Sequence, residues 1–142
     1  MKKTLLALAL VLSMLALLAG CGDDVNFKAQ YVRAALGGER ASGDIVQISS
    51  KEQLAEYDGA VAGYTDEFFE SKYLVIVFRS EGAMNITHEV SKVSKDGKIF
   101  INCIIPEMLY WNPQDWDIVI ELDKKFAPES FSVVITEIEV ME

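Results

Sequence analysis

Apolar positions follow two regimes along the chain. Residues 5–18 are apolar almost without interruption, and after Cys21 the apolar residues become periodic, most clearly from Ile45 onward. The stretch IVQIS (45–49) reads as a short strand. Ser49 or Ser50 then opens a helix through a capping box, in which a serine oxygen and a Glu or Gln side chain three residues on satisfy each other's free backbone donors. Leu54, Tyr57 and Val61 recur at helical spacing as its inward stripe, with Gly63 as the stop, although Gly59 inside it costs ~1 kcal/mol relative to Ala. TDEFFE (65–70) predicts one helical turn capped by Thr65.

Beyond that point the pattern is that of strands. YLVIVF (73–78) is apolar throughout, as a central strand covered on both faces would be. NITHEVSKV (85–93) and KIFINCII (98–105) flank SKDG, whose Asp96-Gly97 is a hairpin signal. WDIVIEL (116–122) alternates, with Trp116, Ile118, Ile120 and Leu122 on one face. Asp115, Asp117 and Glu121 fall on the other, expected to be solvent. In SFSVVITEIEV (130–140), Phe131, Val133 and Ile135 point one way while Ile138 and Val140 fall out of phase, which a bulge near Thr136 would reconcile. A helix followed by a strand meander predicts an α+β domain over residues 45–142. Its sheet is expected to be mostly antiparallel, with about five to six strands and one N-terminal helix packed on it. Residues 21–44 read as a lipidated N-terminus and tether with an uncertain first strand, since FKAQYVRAAL (27–36) suits either strand or helix.

The apolar start carries an address. Met1-Lys2-Lys3 is a short cationic end, residues 5–18 have the length of an export-signal core, and Leu18-Ala19-Gly20-Cys21 supplies small residues before a cysteine. A membrane-spanning helix needs roughly 20 apolar residues, and residues 4–20 fall slightly short. The order Leu-Ala-Gly-Cys resembles the lipobox of bacterial lipoproteins. That resemblance implies a signal peptide over residues 1–20 cut before Cys21, a diacylglycerol (palmitate-type) thioether on Cys21, and an extracytoplasmic protein held to the cell membrane by lipid. An ordinary secretory signal cleaved near Ala19 and an uncleaved anchor are the alternatives. Lipidation of Cys21 leaves Cys103 without a disulfide partner in the chain, a small hydrophobe on the face of Ile99, Ile101 and Ile105.

Charge narrows the partners. Residues 21–142 hold 11 Lys and Arg against 22 Asp and Glu, a formal charge of −11. This argues against nucleic acid, whose phosphates demand a basic patch, and against lying flat on anionic lipid. The motifs SEGAMNITHEV, KDGKIFIN and DWDIVIELDK, with ISSKEQLAEY and DEFFESKYLVIVF before them, resemble a family of small uncharacterised lipoproteins of Gram-positive anaerobic bacteria over about residues 45–125. More distantly, residues 73–122 resemble the C-terminal domain of PrcB-type protease-complex lipoproteins. Gly82-Ala83-Met84 stands where that domain has a Gly-Gly-Tyr-like loop, and Asp115-Trp116-Asp117 where it has an aromatic-proline strand entry. The second resemblance implies an accessory or inhibitor-like subunit of an extracytoplasmic protease.

Catalytic chemistry finds little to work with. His88 is the only histidine, lies in phase with Ile86 and Val90, and has no Gly-x-Ser-x-Gly elbow to serve. There is no Cys-x-x-Cys, no histidine pair and no acidic loop of calcium-binding spacing, so neither a metal nor another cofactor is expected. Nothing selects one carboxylate pair among 22 acids for glycosidase chemistry. The most unusual stretch is IPEMLYWNPQDW (105–116), where Pro106 and Pro113 bracket Met108, Leu109, Tyr110 and Trp111. Rigid loops rich in Tyr and Trp make binding surfaces because they offer large contact area at small entropic cost. The competing reading folds this loop over an open end of the sheet, with Trp116 in the core. The sequence therefore points to a monomeric, non-enzymatic binding module for an unknown protein or small ligand. Its candidate contacts are Tyr110, Trp111 and Asn112, with Met84 and Asn85 of the Gly82 loop.

Overall fold

The computed structural model describes residues 24–36, 39–57 and 61–141; the expected signal, Cys21 and Gly59 lie outside them. Among the described residues there are seven strands: β1 (Lys28–Ala34), β2 (Ile45–Ile48), β3 (Lys72–Glu81), β4 (Thr87–Val93), β5 (Lys98–Pro106), β6 (Gln114–Asp123) and β7 (Ser132–Val140). Two short helices, α1 (Lys51–Glu56) and α2 (Asp66–Ser71), lie between β2 and β3. The class is α+β and mostly antiparallel, but one sheet of five to six strands under one helix is not what forms. The strands split into two sheets, ordered β1-β6-β3-β2 and β4-β5-β7, with only the β5–β7 pair parallel.

The split follows from which faces are apolar. Tyr73, Val75 and Val77 of β3 and Ile118, Ile120 and Leu122 of β6 meet Val90, Val93, Ile99 and Ile101 of the smaller sheet in one buried cluster. Each such aliphatic side chain contributes ~1.5–3 kcal/mol by leaving water. The opposite face of β3 and β6 is apolar too: Leu74, Ile76 and Val119 pack with Ile48, Val61 and Phe69, and with Leu54, Tyr57, Tyr64 and Phe68 of the helical layer. The unbroken YLVIVF run is thus a central strand between a second sheet and helices. The segment open between strand and helix at residues 27–36 is a strand because β6 offers a full edge, pairing Lys28 with Glu121 through to Ala34 with Asp115.

Ser50 caps α1, accepting from the Gln53 amide at 3.1 Å while the Gln53 side chain accepts from Ser49 N at 2.7 Å. The helix ends at Glu56, short of Val61 and Gly63, with Tyr57 extended (ψ 121°). Asp58 and Gly59 are poor helix formers, and the Tyr57 hydroxyl donates to Asp117 Oδ1 at 2.7 Å. Asp115 and Asp117 are not on a solvent face: both are buried, because that face of β6 lies under the helical layer and the loop carrying Arg40. No bulge interrupts β7, whose register with β5 runs evenly from Lys98–Ser132 to Pro106–Val140. Ile138 and Val140 therefore remain out of phase with the core and face outward with Val134, all three exposed. The irregularity sits instead in β4, where pairing passes from Val90–Ile101 to Lys92–Phe100 across Ser91.

At the Asp96-Gly97 hairpin, Gly97 takes φ +86°, a left-handed conformation that favours glycine. Its Cα also lies under the 128–130 segment, where an added Cβ would stand 2.1 Å from the Ser130 carbonyl oxygen. Among the described residues no helix is long and apolar enough to cross a membrane.

Candidate functional site

The turn after β3 and the long loop after β5 meet at one end of the sandwich. Met84 N donates to the Tyr110 carbonyl at 3.1 Å. The Asn85 amide both donates to the Met108 carbonyl (2.7 Å) and accepts from Tyr110 N (3.0 Å). Asn112 N closes a tight turn on the Tyr110 carbonyl at 2.7 Å. An asparagine that satisfies both a donor and an acceptor of the neighbouring loop fixes that loop's backbone without burying it.

The aromatic loop is divided between inward and outward residues. Leu109 turns inward and packs with Ala83, Ile86 and Cys103, closing the open end of the sandwich. Its neighbours turn outward: Met108, Tyr110 and Trp111 are 70%, 58% and 79% exposed, and Asn112 is exposed with them. Met84 and Asn85 are half-buried in the supporting turn. Beside them lies a half-open depression of about 610 Å³ lined by Asn85, Pro106, Glu107, Met108, Tyr110 and Val140. Val140 brings the exposed outer stripe of β7 into the same surface. A bulge near Thr136, as the sequence pattern predicts, would turn Ile138 and Val140 inward, so this contribution of β7 is not visible in the sequence.

A second constellation lies beneath. Glu81 at the end of β3 accepts from His88 Nε2 at 2.7 Å and from Arg79 Nε and Nη2 at 3.2 and 3.0 Å. Cys103, the register partner of His88 across β4–β5, has its Sγ 3.9 Å from Glu81 Oε1. Burial alone would raise the Glu81 carboxyl, but His88 and Arg79 together outweigh it and hold the group below the ordinary range. Burial first, and the Glu81 charge second, push the Cys103 thiol up. A catalytic cysteine needs access and a lowered pKa, and Cys103, 2% exposed with a raised pKa, has neither. His88 Nδ1 is buried without a hydrogen-bond partner, and the ring stands edge-on to Trp116 at 5.9 Å. Trp116 is itself buried, as the alternation of β6 requires. Sequence spacing could not announce this cluster, because its members come from three strands and two sheets.

No protein-family model, no curated protein and no solved structure matches the chain, so what its surface does rests on the geometry above.

Proposed function

We propose that the chain is a lipid-anchored extracytoplasmic binding module whose aromatic loop and β7 edge take an extended, apolar and cationic segment of another protein. The observation that carries this reading is the joint exposure of Tyr110 and Trp111 on a loop pinned by Asn85. Large aromatic side chains held out on a fixed backbone lose little entropy on contact. Beside them β7 pairs with β5 alone among the described residues, leaving a backbone edge of the kind that captures extended peptides. Charge favours a cationic partner: residues 99–123 and 126–142 contain no Lys or Arg, while Glu107 lines the depression and Glu137 and Glu139 flank Ile138 on the β7 edge.

The position of the anchor supports a partner away from the lipid. Asp24 bridges Ser94, Val25 N donates to the Val93 carbonyl at 2.8 Å, and Asp24 pairs with Lys92 at 3.0 Å. Cys21 is three residues earlier, a reach of about 10 Å. A lipid on Cys21 thus holds the hairpin end of the sandwich, and the aromatic loop lies at the other end of β5, about 27 Å along the strand.

Selection from a library of displayed extended peptides tests the reading. Wild-type protein should enrich sequences alternating apolar residues with Lys or Arg, and Trp111→Ala with Tyr110→Ala should weaken binding at least tenfold. Enrichment that is equal on the doubly substituted protein would overturn it. The anchor is tested separately by Cys21→Ala, which should release the protein from membranes or stall its maturation; unchanged retention and processing would disprove lipidation there. A protease-accessory role draws on the same fixed, exposed loop. Co-purification of a protease from native membranes, lost on Trp111→Ala, would select that narrower reading.

A further inference from the structure

We propose that Glu81, His88 and Cys103 form a binding site for a divalent transition-metal ion of zinc-like preference, set between the two sheets beneath the aromatic loop. The three side chains offer one oxygen, one ring nitrogen and one sulfur, and these atoms all lie within 4.8 Å of one another. Zinc binds sulfur at about 2.3 Å and nitrogen or oxygen at about 2.0–2.2 Å, so tetrahedral ligands stand about 3.3–3.6 Å apart. The Glu81–Cys103 separation of 3.9 Å is already close to this, and the 2.7 Å His88–Glu81 contact must open by about half an ångström. Side-chain rotations of that size leave the strands in place.

Charge and coordination chemistry agree with the fit. A carboxylate and a thiolate neutralise a divalent ion, and a mixed nitrogen, sulfur and oxygen set suits zinc better than magnesium or calcium, which take oxygen alone. On binding, the Cys103 thiol proton leaves to solvent and the imidazole proton moves from Nε2 to Nδ1, so the ion meets a thiolate and a neutral ring. Arg79 then stays on Glu81 as an outer partner that orients the carboxylate, the role such groups have around metal ligands. Glu137, the register partner of Cys103 on β7, adds negative charge on the same face of the sheet.

An independent observation also sets this cluster apart from ordinary core. A buried imidazole with Nδ1 unpartnered is costly, and because ligation through Nε2 leaves Nδ1 as it is, the retained histidine points to a use for Nε2. Its cross-strand partner is a cysteine, and the acid it touches comes from the opposite sheet. An ion held there would tie the end of β3 to the β4–β5 hairpin and stiffen the floor on which Leu109 rests.

The test is titration of the chelator-treated, lipidated chain with Co²⁺ in detergent at neutral pH. A thiolate-to-cobalt charge-transfer band should grow to one equivalent and be erased by one equivalent of Zn²⁺. Cys103→Ser should abolish the band, His88→Asn should weaken binding at least tenfold, and Arg79→Gln should keep the band while weakening binding about tenfold. No band in the wild-type protein, or a band that survives Cys103→Ser, would overturn the proposal. Because the readout needs no partner protein, its failure would leave the peptide-binding reading standing, and the reverse.

Discussion

Asp117 provides the sharpest test of how the helical layer is held. Its carboxylate is fully buried, Oδ1 accepts from Arg40 at 2.6 Å and from the Tyr57 hydroxyl at 2.7 Å, and Oδ2 has no partner. The Arg40 guanidinium lies 4.3 Å over the Phe78 ring, and its side chain is 22% exposed. Arg40→Met keeps the stem on Phe78 and removes the charge, leaving the carboxylate with the Tyr57 hydroxyl as its hydrogen-bond donor. Breaking a buried pair this way costs 3–5 kcal/mol, and the partial exposure of Arg40 places this case near ~3 kcal/mol. For a domain of roughly 5–15 kcal/mol that is a large fraction, and it should lower the urea midpoint by about 1.5–2 M at constant slope. Adding Asp117→Asn to Arg40→Met should recover stability, since the stranded charge is then gone. A single-variant loss below about 1 kcal/mol, or a double variant no more stable than Arg40→Met, would refute the reasoning.

Other expectations are more local. Gly97→Ala forces a left-handed φ on an L residue and drives a Cβ into the Ser130 carbonyl, so by urea unfolding it should cost more than ~2 kcal/mol and more than Gly43→Ala, which meets a similar φ strain in open surroundings. Leu109→Ala should destabilise by roughly 1–2 kcal/mol through its lost packing, whereas Trp111→Ala should leave unfolding within about 0.5 kcal/mol of wild type. In chelator-treated protein, the folded Glu81 pKa lies below its ordinary 4.5, so its stabilising contribution is present above that pH and is lost as pH falls through the lower folded value. The stability gap between wild type and Glu81→Gln, measured by urea midpoints from neutral pH downward, should shrink in that acid window; a gap that widens there would contradict the sign.

Local signals were legible where one segment determines its own structure. Ser50 and Thr65 cap helices because a serine or threonine oxygen before an amide is sufficient. Asp96-Gly97 turns because glycine accepts the required φ. What sequence hid were facts about the second neighbour. Alternation in β6 separates two faces correctly, yet says nothing of whether the polar one meets water. There it meets Arg40 and Tyr57, from 77 and 60 residues away, so Asp117 is buried. In β7 the out-of-phase Ile138 and Val140 suggested a bulge only on the premise that apolar residues must be inside. Parallel pairing with β5 keeps a strict register and leaves them outside. The aromatic loop was legible as unusual from its Pro-bracketed composition, but tertiary packing decides its faces: Leu109 meets Ala83, Ile86 and Cys103 while Asn85 pins the backbone on either side of it.

The exposed stripe on β7 also raises the question of why two copies would not join there. Edge strands are commonly protected by lysine, proline or a bulge, and β7 has none of these over its nine residues. It has Glu137 and Glu139. An antiparallel β7–β7 pair centred on Ile138, which sets Ile138 against its copy, would place Glu137 opposite Glu139 twice. Like charges directly opposite cost roughly 0.2–1 kcal/mol each, against a short edge contact with little else to offset them. The same acids would face Lys or Arg of an incoming peptide favourably, so under the proposed reading one pair of residues would both discourage self-association and select a cationic partner. Glu137→Lys inverts both effects. By sedimentation, the wild-type chain should stay monomeric at micromolar concentration while the variant dimerises, and the variant should lose the cationic peptides that wild type enriches. A wild-type chain that pairs through β7 as readily as the variant would show that the acids do not govern this edge.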